Sequence, residues 1–373
     1  MSSTEPFAGI STPAQVAGLY EYGLNDHFLA AMRASFSPGL IPGRVIRVDG
    51  QSSLIQTADG QLRAEPAHYQ YTNLADTVAT PCVGDWVLVR PRPQHATDLI
   101  EAVLPRTSTL TRMGEEAQVL AANVDTAFIV QAADNLNLRR MEREISQVWE
   151  SGVAAVIVLT KSDLVVDVLG VIEQAESLSP EAPVHCLDAI SGEGVESLRR
   201  YTVGNQTIVL IGASGVGKST LGNQLIGAEV LKTGTVRASD SRGRHTTTAR
   251  HLLPLPGGGV LIDTPGIRSV GLTADAGDGV SRAFQDIEDL ATQCRFRDCG
   301  HQGEPGCAIE EAVATGLLSP ARLESYRKLA REVQHVRVKQ DKAARAAESR
   351  KNKAWARKMR QRMQARDKFG RSQ

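Results

Sequence analysis

Gly212 to Thr220 reads Gly-Ala-Ser-Gly-Val-Gly-Lys-Ser-Thr, the pattern of a phosphate-binding loop. The tetrad Thr160-Lys161-Ser162-Asp163, which has the form of a base-reading element, lies upstream of it, and Asp263-Thr264-Pro265-Gly266 lies downstream. In an ordinary guanine-nucleotide domain the phosphate loop comes first and the base-reading element follows. The order here is therefore that of a circularly permuted α/β domain. Permutation leaves the chain end after Asp263 free to carry an attached module.

Each element has a chemical reason for its residues. Gly212, Gly215 and Gly217 let successive backbone N–H groups, those of Ala213, Ser214 and Val216 among them, turn toward a phosphate. The helix expected to start at Lys218-Ser219-Thr220 adds the positive end of its dipole. Lys218 would neutralise the outer phosphates and stabilise developing charge, and the Ser219 hydroxyl would ligate Mg²⁺. Asp263 closes an apolar strand, where its carboxylate would hold the same ion, and Gly266 would bring a backbone N–H to the terminal phosphate. Asp163 would accept both hydrogen bonds from the N1 and amino edge of guanine, an edge adenine lacks, while the Lys161 stem packs along the base. Thr160 stands where asparagine is commoner.

The rhythm around these motifs divides the chain. Residues 1–36 read as an extension with a short helix near Asp26 to Arg33. Over 37–105, alternating segments such as Arg44–Val48, Ser53–Thr57 and Gly84–Val89, with turns at Asp49-Gly50 and Asp59-Gly60, fit a small closed barrel, including the five-stranded oligonucleotide-binding type. Over 106–272, apolar runs at Thr126–Val130, Ala154–Leu159, Val184–Leu187, Thr207–Ile211 and Gly259–Ile262 alternate with helical patterns at Leu138–Trp149 and from about Gly194. This is the signature of an open sheet with helical crossovers. Residues 273–335 are expected to form a helical metal-binding domain, with helices at Ala308–Thr315 and Ala321–Ala330.

Cys294, Cys299, His301 and Cys307 give the spacing C-x4-C-x-H-x5-C. Three thiolates and one imidazole fill a tetrahedral Zn²⁺ shell without an open position, which points to one structural ion rather than a catalytic one. Cys82 and Cys186 read as core residues.

Charge is balanced at 42 basic and 42 acidic side chains, but unevenly placed. Residues 321–373 carry 18 Lys or Arg against 5 Asp or Glu, so the tail from 336 to 373 is a polyanion-seeking segment or an exposed helix. No apolar stretch is long enough to cross a bilayer, and the first residues lack a basic-then-apolar signal. The expectation is a cytoplasmic monomer with no membrane partner.

Taken in this order, the motifs resemble the circularly permuted, ribosome small-subunit-dependent GTPases of bacteria, the RsgA family, from about Gly43 to Leu329. The carriers are the barrel segment, the tetrad, the phosphate loop, Gly243-Arg244-His245-Thr246-Thr247-Thr248, Asp263-Thr264-Pro265-Gly266 and the Cys/His cluster. The resemblance implies a GTPase domain between an oligonucleotide-binding (OB) type barrel and a helical zinc domain. It implies GTP hydrolysis coupled to late maturation of the small ribosomal subunit, contact with its 16S rRNA, and release controlled by GTP against GDP. It assigns the 243–248 segment to the first switch, with Thr247 favoured over Thr246 as the Mg²⁺ and phosphate sensor. His245 is implied in hydrolysis, with packing or RNA contact as the other reading. The guanine-contact loop has Asp188-Ala189 where the family has Ser-Ala, so the backbone of Ala189 would keep a contact that a serine hydroxyl would otherwise share. Ile267 stands where many GTPases place a water-orienting glutamine. Slow turnover in isolation is expected, and a checkpoint that binds nucleotide with little hydrolysis is the rival reading. An ATP-driven assembly enzyme is a further one.

Overall fold

Alternation of inward apolar side chains closes the first strands into a barrel. The computed structural model describes residues 16–35, 37–67, 80–95, 97–113, 117–231, 250–263 and 277–338. Strands β1 (Ile41–Asp49), β2 (Ser52–Thr57) and β3 (Gly60–Pro66) form an antiparallel meander. β4 (Trp86–Arg90) pairs antiparallel with β5 (Asp98–Val103), β5 lies parallel to β3, and β4 closes onto β1. The circuit β1-β2-β3-β5-β4-β1 is a five-stranded barrel filled by Val45, Ile55, Ala64, Val87, Val89 and Ile100. The alternate side chains Trp86 and Leu88 face outward, yet they are buried beneath Phe28 and Met32 of helix α1 (Asp26–Ser35). The N-terminal extension is thus a cover for one barrel wall.

A hairpin, β6 (Thr109–Met113) with β7 (Ala117–Ala122), leads into the α/β sheet. The sheet runs β10 (Val184–Cys186), β9 (Ala154–Thr160), β8 (Thr126–Ala132), β11 (Thr207–Ile211), β13 (Val260–Asp263), β12 (His251–Pro254). All neighbours are parallel except β12 and β13. β8 and β11 lie at its centre, and every residue of both is buried. Their side chains alternate between two cores, Ala127 and Ile129 on one face, Phe128 and Val130 on the other. Helices α2 (Leu138–Glu150) and α3 (Val168–Glu176) belong to the first half of the crossovers, and α4 (Lys218–Ile226) follows β11. The expected helix after Gly194 is instead a 3-10 segment, Val195–Tyr201, entered from Gly194 in the left-handed region.

Barrel and sheet are one hydrogen-bonded surface. β1 pairs with β12 at Arg47↔His251, so the barrel continues the α/β sheet at its edge. Below this joint, Arg44 is buried to 1% exposure. Its guanidinium donates to the carbonyls of Tyr22, Gly84 and Asn123 and to the Thr207 hydroxyl, and lies 5.0 Å from the Trp86 ring centroid. Desolvation lowers its pKa to about 10, against the pull of Asp125 and Asp85. One cation therefore joins the extension, the barrel, the linker and the first residue of the strand that feeds the phosphate loop.

The C-terminal module packs on α2. Helices α5 (Gly277–Ala283), α6 (Gln285–Ala291) and α7 (Ala308–Ala314), with a final helix α8 over 320–338, bury Phe284, Ile287, Ile309 and Leu323 against the sheet's first core. Ion pairs Arg322–Glu142, Arg139–Glu324 and Arg143–Glu332 tie α8 to α2. Among the described residues no helix is long and apolar enough to cross a membrane.

Candidate functional site

β11 delivers the chain into the glycine loop, and the loop's shape needs its glycines. Gly212 has φ 147° and a Cβ there would sit 2.3 Å from the Val130 carbonyl oxygen, so β11 and β8 approach too closely for any side chain. Gly217, at φ 93°, caps α4 from the left-handed region. The Lys218 ammonium folds back over the loop, donating to the carbonyls of Gly212 (2.9 Å) and Ala213 (2.5 Å). Those carbonyls hold the amine where it can exchange them for phosphate oxygens. Ser219 and Thr220 begin α4 beside it.

The end of β9 brings the tetrad to the same place. Thr160 is fully buried, and its hydroxyl lies 2.5 Å from the Val216 carbonyl and 3.2 Å from that of Gln131. The threonine therefore fastens the base-reading element to the phosphate loop, although 56 residues separate them. Lys161 takes a left-handed conformation at φ 59° and starts the turn Ser162–Leu164, which leaves Asp163 exposed. The Ser162 N–H donates to the Leu187 carbonyl, so the next loop is held alongside.

In that loop Asp188 ties down its own turn. Its carboxylate accepts from the N–H groups of Ile190 (2.8 Å) and Ser191 (3.0 Å), and these bonds, together with one from the Ser191 side chain, hold the carboxyl below its usual range. Ala189 is buried, and its N–H has no acceptor among the described residues. The substitution of aspartate for serine thus shapes the turn while leaving that donor available.

Asp263 ends β13 opposite His251 of β12. Burial raises its carboxyl above the usual range, against the opposing influence of His251 and Lys218. Through His251 the register runs on to Arg47 of the barrel, a row of three residues across three strands. Gly243, Arg244, His245, Thr246, Thr247 and Thr248, and likewise Thr264, Pro265, Gly266 and Ile267, lie outside the described residues. So does the tail from 339.

The second cluster is local. The donor atoms of Cys294, Cys299, His301 and Cys307 all lie within 4.8 Å of one another. Cys294 and Cys307 sulfurs are 4.0 Å apart, and His301 Nδ1 is 3.6 Å and 3.5 Å from them. A tetrahedron with metal–sulfur bonds of about 2.3 Å and a metal–nitrogen bond of about 2.0 Å has edges near 3.8 and 3.5 Å, so the donor set fits zinc. Burial pushes the Cys294 thiol up, but the N–H groups of Ala308 and Ile309 at the start of α7 outweigh it and hold the thiol below its ordinary value. Glu304 accepts from Gly300 and Gln302 N–H and fixes the turn that carries His301. Arg327 of α8 donates to the His301 carbonyl and to Glu310. Neither Glu304 nor Arg327 was singled out from sequence; an acid between two ligands was the only signal for the first, and nothing marked the second.

Residues 103–273 match the RsgA GTPase family. A Streptomyces coelicolor protein described as "Small ribosomal subunit biogenesis GTPase RsgA" is 44% identical over 346 residues, covering 90% of this chain and 92% of its own length. An Oceanobacillus iheyensis protein described as "Small ribosomal subunit biogenesis GTPase RsgA 1" is 42% identical, covering 83% of this chain and 89% of the relative. Among solved structures, YjeQ from Thermotoga maritima aligns at TM-score 0.57 and 25% identity, over 79% of this chain and 98% of that one. The fold is also that of YloQ, described as a circularly permuted GTPase, at TM-score 0.56 and 22% identity over 79% and 96% of the two chains.

Proposed function

The chain belongs to the RsgA GTPase family, and from that premise we propose that it hydrolyses the β–γ bond of GTP to time its departure from the maturing small ribosomal subunit. The observation that carries this reading is the Thr160 hydroxyl on the Val216 carbonyl. It supports reading the tetrad and the phosphate loop as two sides of one site, in spite of their order in the chain.

In this reading Asp163 accepts from the guanine edge, Lys161 lies along the base, and the Ala189 N–H donates to the base carbonyl. Backbone donors from Gly212 to Ser219 cradle the phosphates, and Lys218 gives up its loop carbonyls to neutralise the transferring group. Ser219, Asp263 and Thr247 would hold Mg²⁺, which supplies charge neutralisation across the β- and γ-phosphates. Gly266 would meet the γ-phosphate through its N–H. Water is the nucleophile. With Ile267 unable to orient it, His245 or a group ordered by the subunit would supply the alignment, so slow turnover in isolation is expected.

The row Asp263, His251, Arg47 supports a route from the nucleotide to the barrel, because a shift of β12 with the preceding switch moves a barrel strand with it. The barrel and the basic tail would contact 16S rRNA, and the tail's share of binding would weaken at high salt. Cys294, Cys299, His301 and Cys307 would hold one structural zinc. The protein would work in the cytoplasm as a monomer. The test is GTP turnover by purified protein with and without small subunits. Acceleration by the subunit is expected; tight binding without acceleration would defeat hydrolysis-timed release.

A further inference from the structure

The metal knuckle presents an aromatic ring to solvent. Between Cys294 and Cys299 the chain reads Arg295-Phe296-Arg297-Asp298, and Phe296 is 45% exposed. The main chain on either side of the ring is fixed. The Arg295 N–H donates to the Gly306 carbonyl at 3.0 Å, and the Phe296 carbonyl accepts from Cys299 N–H at 3.3 Å. The Arg295 guanidinium lies 5.5 Å from the ring centroid, and Arg297 is exposed beside it. The same knuckle, from Cys299 to Gly303, forms one wall of a cavity of about 900 Å³ whose other wall is α8, with Arg327 and exposed Arg331. Arg295, Phe296 and Arg297 lie outside its lining, on the other part of the same turn.

An exposed aromatic flanked by arginines on a rigid turn is the arrangement that receives an unstacked base, the ring supplying the stacking face and the guanidinium groups meeting phosphate. The module as a whole is not basic. Acidic side chains outnumber basic ones over 277–338, so diffuse attraction does not account for the knuckle. We propose that Phe296, with Arg295 and Arg297, is a stacking platform for an unpaired nucleotide of the small-subunit RNA. This rests on the small-subunit reading above and adds the surface and the chemistry of the contact. The metal then acts indirectly: it fixes the turn on which the ring stands.

The test uses the full-length, zinc-loaded protein with a non-hydrolysable GTP analogue, purified small subunits, and a short oligouridine carrying a photoreactive thiouridine. Phe296→Leu keeps an apolar side chain and removes the ring; Phe296→Trp keeps a ring. Both are compared with the parent at equal zinc content and equal subunit-free turnover. Phe296→Leu should weaken subunit and oligouridine binding about tenfold, Phe296→Trp should restore both, and the crosslink should fall on the Arg295–Arg297 peptide. Arg297→Gln should lower the salt dependence of binding without abolishing it. Binding by Phe296→Leu equal to the parent's in both arms would overturn the proposal. So would a loss on the subunit with an unchanged oligouridine crosslink, since that assigns the ring to a protein contact. Failure of the parent to bind subunits counts against the family-level reading alone, and the oligouridine arm still judges the platform.

Discussion

The nucleotide site and the metal knuckle are built on opposite plans. The first, as proposed, gathers Thr160–Asp163, Ala189, Gly212–Ser219 and Asp263 from the ends of four strands of one sheet. The second takes four ligands from the fourteen residues 294–307, a stretch with no strand and no helix that ends at the N-cap of α7. In the first, packing creates the site. In the second, the site must create the packing, because a short glycine-rich loop has little apolar surface to bury. Damage to one should therefore appear in chemistry with the fold intact, and damage to the other in local folding with the nucleotide chemistry intact.

The largest effect expected is that of Lys218→Ala, which should lower GTP turnover by roughly 10²–10³-fold while leaving the thermal midpoint within a degree or two of the parent. A large loss of stability would erase the contrast. Next, stripping the metal, or Cys307→Ser, should unfold residues 294–315 without altering GDP affinity. Hydrogen exchange would show this as lost protection confined to the module; protection unchanged after metal removal would mean the knuckle stands without it. Thr160→Val should come third. It leaves the Val216 carbonyl without its donor, at a cost of about 1–2 kcal/mol, and weakens GTP and GDP alike by roughly tenfold. Thr160→Asn, which can still donate, should lose much less.

Smallest is a pH effect at Asp188. Its folded carboxyl lies below the usual range, so its tether to Ile190 and Ser191 contributes fully above the unfolded carboxylate range and is lost only as pH falls through the lower folded value. GDP affinity should then be flat from pH 8 to 5 as far as this group is concerned. Asp188→Ala should cost a few-fold in GDP affinity, and a mid-range inflection abolished by that substitution would contradict the assignment.

How much of this was legible follows the same division. The β11 boundaries, Thr207 to Ile211, could be read directly because a buried parallel strand is an unbroken apolar run that ends in a glycine motif. The Cys/His cluster was legible because its four members fall close together in the chain. Three features were not. The β1–β12 joint depends on which edge the barrel meets, and no local pattern encodes that. The burial of Arg44 contradicts its charge; only its four acceptors, spread from Tyr22 to Thr207, make the position intelligible. The role of Thr160 in clamping the loop needed the distance to Val216, since the residue type alone suggested a weakened base-reading tetrad.

In the proposed function, separated segments enclose one guanine nucleotide and Asp163 chooses the base. Its most direct test is the relative affinity of Asp163→Asn for GDP and xanthosine diphosphate. Replacing the carboxylate by an amide should exchange an acceptor for a donor, so GDP binding should fall and xanthosine diphosphate binding should rise, reversing the preference. An Asp163→Asn protein that still prefers GDP as the parent does would contradict it.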